Sequence, residues 1–548
     1  MANIKIPRKQ FEKEIGKLDE KMQHKIAMFG TTLESFDSED MELEINPDRP
    51  DMLSYQGFKR SFLAFLGKKT GLKEYKIGKP EKDYQVVVDS SVNSVRPYTA
   101  CAIVKGLKFD DDKIKEIIDI QEKLHNTLGR KRKKVAIGIY PLEKIKLPIT
   151  FKAVEPDKIK FVPLETNREM SGLEILQRHP AGRDYAHLLV GKQKFPIFID
   201  SDENILSMPP IINSQLTGKI DEKTKDIFVE CSGFDFSVLS KCLNIIVTTL
   251  ADMDGVIYQM EVKYGNKKEI TPNLTPEKMN LSLDNTNKLL GLDLKEKEIS
   301  NLIEKMGYNY KKGQVEIPNW RTDILHEVDL IEDVAIAYGF DNFVPEIPEI
   351  STIGEEDKRE TIKRKISEIL AGLNMLEVSN YHLTIKDDQF SRMGIPKTKE
   401  KGFVELERSK TDYTILRKNL AHYLLKVLSE NVDSEYPQRI FEAGKVFEAG
   451  KNIEEREHLA AAIAPGNFTQ LKQALEYLFR MLDLKIELKE PEESQSWFID
   501  GRAADVLIDG KKIGAIGEIH PKILKNWRIK MPVGLFEISL EDMFGKLL

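Results

Sequence analysis

A stretch rich in proline and glutamate constrains the fold of this chain more than any other feature of its sequence. Residues Phe343–Glu356 read FVPEIPEISTIGEE. Proline lacks a backbone donor and keeps the preceding residue out of the helical region, so we predict an extended linker here, with its core at residues 346–356. The chain must therefore fold in separate parts, and its 548 residues leave room for about three to five domains.

The overall composition is that of a globular protein, with 41% hydrophobic and 31% charged residues. The net charge of -6 neither indicates nor excludes a nucleic-acid partner, because such binding depends on local basic patches. No run of about 18 apolar residues occurs, and the charged N-terminus lacks the apolar core of a signal peptide. We therefore predict no membrane segment.

The three cysteines, Cys101, Cys231 and Cys242, are odd in number, far apart and without CxxC spacing. This pattern argues against a disulfide framework or a zinc site. We predict three core thiols and a cytoplasmic protein.

Hydrophobic periodicity divides the chain into four folded blocks. Spacings of two and of three to four residues both occur, which indicates an α+β multidomain fold. There is no fixed-period repeat, and neither a GxGxxG nor a P-loop motif is present. The predicted domains are residues 1–85, 90–262, 268–345 and 357–548. In the first two, we predict strands at Met41–Glu44, Val135–Tyr140, Phe195–Ile199, Asp226–Glu230 and Val256–Val262, and helices at Ser54–Leu66, Lys113–Leu128 and Ser237–Met253.

The third block is predicted to be a helix-turn-helix followed by a wing. Each of its two short helices is followed by a glycine, which frequently ends a helix. The predicted elements are a strand at Met279–Leu283, helices at Asp284–Leu290 and Lys295–Met306, strands at Tyr308–Lys311 and Gln314–Ile317, and a closing acidic helix at Arg321–Gly339.

The closing helix carries a cluster of carboxylates. Asp329, Glu332 and Asp333 are spaced i, i+3 and i+4, so they share one helical face, and Asp323 in the first turn could reach the same point. Oxygen ligands in this number suit Mg²⁺. The alternative is a solvated acidic face with Asp323 as a helix cap, and spacing alone favours that alternative.

A basic run, Gly129–Lys134, directly precedes the apolar strand Val135–Tyr140. Such a run could contact phosphate groups of a nucleic acid. It could equally protect the strand from edge-to-edge aggregation, and the sequence leaves both interpretations open.

A third segment, SMPPIINS, begins at Ser207 and includes Asn213, and Glu230 follows about twenty residues later. Consecutive prolines stiffen the backbone without forming helix, so these three side chains could surround a small polar pocket. An ordinary strand-turn-strand is the alternative. No Ser/His/Asp set accompanies the segment, so it does not indicate nucleophilic catalysis.

Taken in order, several segments resemble the archaeal and eukaryotic type of phenylalanyl-tRNA synthetase β subunit. They span nearly the whole chain, and it is their ordered set that carries the resemblance. They are INPDRPDMLSYQGFKR near the start, GRKRKKVAIGIY, HPAGRDYAHLL and SMPPIINS in the second block, IPNWRTDILHEVDLIEDVAIAYGFDN in the third, and FEAGKVFEAG, FIDGRAADVLIDG and IGAIGEIHP in the last.

This resemblance implies a role for each block. The first would be a B1-like domain, the second the B3/B4 editing domain and the third the winged-helix-like B5 domain. The last would be a class II synthetase-like antiparallel sheet with flanking helices. Its FEAGK segment looks like the second class II motif, but the arginine-bearing third motif is not visible, so we expect it to be inactive.

The resemblance also implies partners. The family works as an α2β2 heterotetramer in which the α subunit binds ATP and phenylalanine and charges tRNA(Phe). We therefore expect no catalytic residue for aminoacylation in this chain and no adenylate formation by the chain alone.

The resemblance further assigns the candidate site residues. Asp323, Asp329, Glu332 and Asp333 would hold Mg²⁺ near the α subunit, with Asp333 the shorter acid where the family often has Glu. Glu230 would read the hydroxyl of tyrosine wrongly attached to the tRNA, with Ser207 and Asn213 lining the pocket and a positioned water attacking. The main alternative is a scaffold and tRNA-binding subunit without editing activity. A free-standing deacylase that acts without α is a third possibility.

Overall fold

The computed structural model describes residues 2–548, which form two compact units, residues 2–347 and Pro348–Leu548. The boundary between them falls within the predicted linker, and no helix or strand forms between residues 343 and 357. Within residues 2–548, no helix is both long and apolar enough to span a bilayer.

The first region of the first unit is a small sheet packed against an aromatic helix. Ser54 caps α3, because its Oγ accepts a 3.0 Å hydrogen bond from the Gly57 backbone N–H. Phe58 and Phe62 on α3 are buried and stack on each other. The elements are β1 (Ala2–Pro7), α1 (Arg8–Glu14), α2 (Glu20–Met28), β2 (Thr32–Phe36), β3 (Asp40–Ile45) and α3 (Tyr55–Phe65), with strand order β1-β3-β2.

A large mixed sheet dominates the first unit. The elements of this region are β4 (Ile77–Gly78), β5 (Gln85–Val88), β6 (Tyr98–Lys105), α4 (Asp111–Asn126), β7 (Val135–Pro141), β8 (Ile149–Val154), β9 (Lys160–Phe161), β10 (Met170–Ser171), α5 (Gly172–Arg178), α6 (Pro180–Tyr185), β11 (Phe195–Ile199), β12 (Ile205–Met208), β13 (Ile212–Asn213), β14 (Ile227–Gly233), α7 (Phe236–Ala251), β15 (Val256–Tyr264) and β16 (Lys267–Thr271), of which β9 and β10 pair only with each other. The main strand order is β13-β12-β11-β8-β5-β15-β6-β14-β7, with β4 and β16 also paired to β15.

The predicted limits of the second block cut across this sheet. Strands β5 and β16 belong to it although they lie outside residues 90–262. The domain limits stay predictions, but the sheet itself extends further at both ends than the periodicity indicates. All three cysteines are buried and free, as predicted.

The central strand β14 determines which face of the sheet carries the candidate site. It pairs antiparallel with both β6 and β7, so all seven of its residues are buried. Ile227, Val229 and Cys231 belong to the hydrophobic core that includes α7. Because side chains alternate along a strand, Glu230 points to the opposite face, where Phe228 joins a second core.

The third region contains the predicted helix pair and wing in the expected order. Gly291 ends α8 with a positive φ of 66°, and the hairpin between β18 and β19 turns through Lys312 and Gly313, both with positive φ. The elements are β17 (Glu277–Asn280), α8 (Leu283–Leu290), α9 (Glu296–Lys305), β18 (Asn309–Lys311), β19 (Gln314–Ile317) and α10 (Glu327–Tyr338), with strand order β17-β19-β18.

The predicted acidic helix is too long at its N-terminal end. The observed helix α10 begins at Glu327, six residues after Arg321, so Asp323 lies before the helix rather than in its first turn. Asp329 accounts for this start, because its Oδ2 accepts hydrogen bonds from the backbone N–H groups of Leu325 and His326 at 2.7 and 2.8 Å. Such bonds satisfy donors at a helix N-terminus and fix where the helix begins.

The second unit is a seven-stranded sheet with helices on both faces. Only the β20–β23 pair is parallel. Helices α11 and α14 belong to one core and α13 to the other. The elements are α11 (Lys358–Gly372), β20 (Leu376–Glu377), β21 (Leu383–Ile385), α12 (Lys386–Gln389), β22 (Tyr413–Leu416), α13 (Ala421–Glu430), β23 (Gln438–Ala449), β24 (Ile453–Ala464), α14 (Phe468–Met481), β25 (Glu487–Lys489), β26 (Phe498–Ile508), β27 (Lys511–Ile519), α15 (Pro521–Asn526), β28 (Gly534–Ser539) and α16 (Glu541–Leu547), with order β20-β23-β24-β28-β27-β26-β25. It is the predominantly antiparallel sheet with flanking helices that the family resemblance implies.

Candidate functional site

A cavity of about 760 Å³ opens against the large sheet of the first unit. Its walls come from α4, from the segment His179–Tyr185, from the turn between β12 and β13, and from strands β7 and β14. Glu230 on β14 and Asn213 on β13 both line it. Ile118 on α4, which is 55% exposed, adds apolar surface to the lining. The cavity therefore combines apolar walls with a few polar groups, as small-molecule sites commonly do.

The three residues predicted to form a polar pocket meet at one atom, the hydroxyl oxygen of Tyr140. That oxygen lies 2.8 Å from Ser207 Oγ, 3.4 Å from Glu230 Oε1 and 3.5 Å from Asn213 Oδ1. Strand pairing brings them together, because β12 and β13 set Ser207 opposite Asn213, and β14 lies beside β7. The predicted grouping of Ser207, Asn213 and Glu230 is present in the structure.

The predicted role of Ser207 as a lining residue is wrong in this arrangement. Its side chain is buried, with the residue 1% exposed, and it is not among the residues that line the cavity. It accepts the hydrogen bond of the Tyr140 hydroxyl and so lies behind that ring. Ser207 thus positions Tyr140, whereas Asn213 and Glu230 face the cavity.

Tyr140 is the residue of this cluster that sequence reasoning missed. It ends the apolar run VAIGIY, where it looks like one more core side chain. A usable signal was present, because a buried tyrosine needs a hydrogen-bond partner for its hydroxyl. Burial raises the pKa of the Tyr140 hydroxyl well above its usual value, and the nearby charge of Glu230 adds to the shift, so this group acts as a donor.

Glu230 has one oxygen engaged and one free. Its Oε1 contacts Tyr140, while Oε2 is buried and has no hydrogen-bond partner within residues 2–548. Burial raises the pKa of Glu230 from its ordinary 4.5 to about 8, although the charge of Arg96 and the contact with Tyr140 act in the opposite direction. At neutral pH the side chain is therefore mostly a neutral acid that can both donate and accept a hydrogen bond.

Gly138 on β7 lets this cluster form. A Cβ atom at this position would lie 2.2 Å from the Tyr140 hydroxyl oxygen and 2.6 Å from Glu230 Oε1. Real side chains do not tolerate such distances, so only glycine leaves room for both groups.

Arg132 from the basic run braces the cavity walls. Its guanidinium donates to the Ile211 carbonyl and to Glu122 Oε1, each at 2.8 Å, and lies 4.3 Å from the centre of the Tyr185 ring. It therefore ties the β12–β13 turn, α4 and the end of α6 to one another.

The rest of the basic run is exposed. The backbone of Arg130, Lys131 and Arg132 has positive φ values of 46°, 54° and 62°. The side chains of Arg130, Lys131, Lys133 and Lys134 are exposed on the surface beside the cavity wall that Arg132 forms. Both interpretations left open by the sequence still fit these exposed residues, because the strand that follows them, β7, is the last strand of its sheet, whereas Arg132 has a structural role.

His179 gives the cavity a second group without a full set of partners. Its Nε2 lies 3.2 Å from the Leu164 carbonyl oxygen, and its buried Nδ1 has no partner within residues 2–548. Like Glu230, it lines the cavity. No spacing argument from the sequence singled it out.

The four predicted metal ligands do not converge. Arg321 is 3% exposed, and its Nη2 lies 2.6 Å from Asp323 Oδ2 and 2.9 Å from Asp333 Oδ2. Asp333 faces the core, where it also accepts a hydrogen bond from the Tyr308 hydroxyl. Burial alone would raise the pKa of Asp323, but the charge of Arg321 holds it below the usual range. A guanidinium already neutralises two of the four carboxylates.

The other two carboxylates are not paired with each other either. Asp329 caps α10, while Glu332 is exposed and forms no salt bridge within residues 2–548. Burial, followed by the charges of Asp333 and Asp48, raises the pKa of Glu332. In residues 2–548 no three His, Cys, Asp or Glu side chains are arranged to hold a metal ion. The four residues thus do not fit Mg²⁺ together as they stand.

In the second unit, the FEAGK segment lies on β23 and is occupied by internal contacts. Glu442 forms a buried ion pair with Arg417 at 2.5 Å, and its other oxygen accepts from the Asn380 side chain. Arg439 donates to the Leu373 carbonyl at 3.3 Å. These side chains stabilise the sheet in the free chain.

Comparison with known families finds two matching models. The tRNA synthetase B5 domain matches residues 279–340, and the phenylalanyl tRNA synthetase beta chain CLM domain matches residues 344–540. The first match covers the helix pair, the wing and α10, and the second covers most of the seven-stranded unit.

Relatives named phenylalanine–tRNA ligase beta subunit align along nearly the whole chain. That of Thermococcus sibiricus is 40% identical over 508 residues, covering 91% of this chain and 90% of the relative. Those of Archaeoglobus fulgidus and Methanosarcina barkeri are each 38% identical, with coverage of 98% and 100% of both partners.

A solved structure matches the first unit. It is an N-terminal fragment of the phenylalanyl-tRNA synthetase beta subunit from Pyrococcus horikoshii, with a TM-score of 0.59 and 38% identity. The match covers 62% of this chain and 99% of the fragment.

Proposed function

Since the chain belongs to the family of phenylalanine–tRNA ligase β subunits, we propose that it has two roles. It supports the ATP-dependent attachment of phenylalanine to tRNA(Phe) by a separate α subunit, as part of an α2β2 assembly. It also hydrolyses tyrosine that has been attached to that tRNA by mistake, in the 760 Å³ cavity of the first unit.

The observation that carries the editing role is the free carboxyl oxygen of Glu230. Oε2 is buried on the wall of a cavity large enough for an amino acid and part of a nucleoside. A buried acceptor without a partner costs roughly 1–3 kcal/mol, and the hydroxyl of a bound tyrosyl group would remove that cost. Phenylalanine has no such hydroxyl, so the cavity would favour tyrosine.

A second site of this kind makes physical sense for the enzyme. A hydrophobic pocket that accepts phenylalanine rejects an added hydroxyl poorly, by about a hundredfold, so hydrolysis in another pocket improves accuracy. The reaction adds water to the ester carbonyl carbon and breaks the bond to the ribose oxygen, releasing tyrosine and tRNA. The hydroxyl groups near Glu230, those of Tyr140 and Ser207, are buried and bonded to each other, so a positioned water attacks, aided by the neighbouring ribose hydroxyl.

The exposed basic residues of the run at 130–134 support an RNA substrate. Lys133 and Lys134 are exposed beside Arg132, which is part of the cavity wall. Ammonium groups there would contact the phosphates of a tRNA end that enters the cavity.

The assignment of magnesium to Asp323, Asp329, Glu332 and Asp333 stays a prediction. Arg321 already supplies the positive charge for Asp323 and Asp333, so no step of the proposed function is routed through a metal held by all four. We expect the isolated chain to bind Mg²⁺ only weakly. Equilibrium dialysis would measure this, and tight binding that Glu332→Ala abolishes would restore the four-ligand assignment.

The editing role is tested with Glu230→Ala and Glu230→Gln in the complex with an α subunit. We expect charging with phenylalanine to stay near wild type in both variants. Deacylation of Tyr-tRNA(Phe) should fall by one to two orders of magnitude in Glu230→Ala, in line with the loss of a buried hydrogen bond, and less in Glu230→Gln, because its amide also donates and accepts. Glu222→Gln, an exposed glutamate outside the cavity lining, is the matched control. Unchanged deacylation by both Glu230 variants would refute the assignment.

The alternatives separate in the same assays. A scaffold without editing activity predicts that the wild-type chain, alone or with α, leaves Tyr-tRNA(Phe) intact. A free-standing deacylase predicts hydrolysis by the chain alone and no stable complex with α. ATP–pyrophosphate exchange by the isolated chain would contradict the expectation that it forms no adenylate.

A further inference from the structure

A second cavity, of about 450 Å³, lies in the first unit and shares no residue with the cavity around Glu230. Its walls come from α3, from the segment Lys69–Lys73, from the end of α7 and from residues Pro318–Arg321. Six basic side chains line it against three acidic ones. Several of these basic side chains are paired with acids, but a cavity whose floor offers donors without a partner is suited to an anion.

Arg60 on α3 forms the floor. Its side chain is only 8% exposed, and its Nη1 donates to Asp252 Oδ2 at 2.5 Å and to the Tyr75 hydroxyl at 2.9 Å. Its Nε and Nη2 atoms are buried and have no hydrogen-bond partner within residues 2–548. These two donors point along the same edge of the guanidinium, the edge that binds a carboxylate or phosphate in two parallel hydrogen bonds.

Two other arginines of the same cavity show how that edge is normally used. Arg49 donates from Nε and Nη2 to the two oxygens of Asp51, each at 2.9 Å. Arg321 uses the same two nitrogens for Asp323, at 2.8 and 2.6 Å. Only Arg60, of these three, has no internal acid on this edge, so the chain itself does not satisfy it.

The plane of the Arg60 guanidinium is held in place. It lies 4.8 Å from the centre of the Trp320 ring, and Trp320 also packs edge-on against Tyr75. Asp252 is fully used as well, because its Oδ1 accepts from Lys73 and from Tyr75. Asp252 therefore cannot turn to serve the free edge, and a ligand that arrives there meets a fixed pair of donors.

We propose that this cavity binds a small phosphate-bearing molecule, with two oxygens of its phosphate held by Nε and Nη2 of Arg60. The exposed ammonium group of Lys69, which forms no salt bridge within residues 2–548, lies in the same lining and supplies further positive charge. Arg60 and Lys73 share the single carboxylate of Asp252, so together with Lys69 they leave positive charge beside the free edge, which suits a doubly charged phosphate better than a singly charged carboxylate. The proposal is independent of the editing role.

Calorimetric titration of the full-length chain, in a buffer without phosphate, tests the proposal with three probes: inorganic phosphate, adenosine monophosphate and acetate. We expect saturable binding of phosphate at one site and weaker binding of acetate. Preference for adenosine monophosphate over inorganic phosphate would identify a phosphate ester as the source, and the reverse a free anion; both support the phosphate chemistry. Acetate that binds as well as phosphate would overturn it.

Variants assign the binding to Arg60. Arg60→Lys keeps the charge and a partner for Asp252 but removes the two-pronged edge, so we expect about a tenfold loss of phosphate affinity. Lys69→Glu should weaken binding several-fold without changing the melting temperature, because its side chain stabilises nothing else. Lys223→Glu, in the exposed loop before β14, is the matched control and should bind normally.

Wild-type affinity in both Arg60→Lys and Lys69→Glu would overturn the proposal, as would the absence of phosphate binding by the wild type. If Arg60→Lys does not fold, as judged by its circular dichroism, Lys69→Glu alone decides, because an exposed lysine is not needed for folding.

Discussion

Gly138 determines how closely Tyr140 and Glu230 approach each other in the candidate editing cavity. A methyl group at this position would overlap both polar groups, at 2.2 and 2.6 Å. We expect Gly138→Ala to reduce deacylation of Tyr-tRNA(Phe) at least tenfold and to lower the free energy of unfolding by about 1–3 kcal/mol, as overpacked cores do. Deacylation assays with thermal melts measure both effects.

Gly129, the first residue of the basic run, offers the comparison, because it is not part of the cluster of Tyr140 and Glu230. Its Cβ would meet backbone atoms of His125 and Val135 at 2.6 and 2.7 Å. Gly129→Ala should therefore destabilise the chain to a similar degree but leave the position of the Glu230 carboxyl unchanged. If the two variants lost the same free energy of unfolding and also the same fraction of deacylation activity, a specific role for Gly138 would be contradicted.

Glu230 also makes stability depend on pH. Because its pKa is raised from 4.5 to about 8, the folded state holds this proton more tightly than the unfolded state. The resulting stabilisation is fully present below about pH 4.5 and is lost as the pH rises through about 8. We expect the difference in unfolding free energy between wild type and Glu230→Gln to change by a few kcal/mol between pH 5 and 8.5, to the disadvantage of the wild type.

Urea unfolding of the two proteins at several pH values measures this difference. The glutamine variant cannot ionise, so it isolates Glu230 from the other titrating groups of the chain. A difference that stays constant across this range would mean that Glu230 does not carry the raised pKa.

At the scale of single residues, the sequence predicted which side chains lie close together better than it predicted the role of each. It grouped Ser207, Asn213 and Glu230 correctly, because strand and turn signals indicated a compact polar site. It missed Tyr140 and misplaced Ser207, because which side of a tyrosine ring a residue lies on depends on the pairing of β7, β14 and β12. Strand order across a sheet cannot be derived from local periodicity.

At the scale of elements, the exposed basic residues before β7 form a candidate RNA contact. We expect the double substitution of Lys133 and Lys134 by alanine to raise the KM for Tyr-tRNA(Phe) several-fold, to leave kcat nearly unchanged, and to reduce the salt dependence of binding, because each removes a phosphate contact. Lys522 and Lys525 on α15 in the second unit, changed in the same way, are the control. A lower kcat with an unchanged KM would contradict an RNA contact.

Hydrophobic periodicity predicted most helices and strands well. It failed where a side chain accepted the hydrogen bonds of backbone N–H groups at a helix end. Strands β11 and β19 have the predicted limits. Helix α10 does not, because the Asp329 side chain takes the donors of Leu325 and His326 and holds residues 321–326 outside the helix. Asp323 therefore lies outside the helix that carries Asp329, Glu332 and Asp333, and both Asp323 and Asp333 pair with Arg321.

At the scale of the whole molecule, the linker is the predicted point of cleavage. Residues 344–356 form no helix or strand and are almost entirely exposed. A protease needs an extended, accessible backbone, so we expect limited Glu-specific digestion to cut first within residues 346–356 and to leave two resistant fragments. Mass spectrometry of the fragments measures this, and an early cut inside either sheet would contradict the two-unit division.

The three consecutive left-handed residues at Arg130–Arg132 have a consequence for engineering. Glycine adopts positive φ without a Cβ clash, whereas Arg and Lys pay roughly 1 kcal/mol or more at each such position. A screen for thermostability alone would therefore be drawn to glycine at Lys131. The selected variant would be more stable but would carry less positive charge beside its cavity. Engineering of this chain should therefore select for the accuracy of tRNA charging as well as for thermal stability.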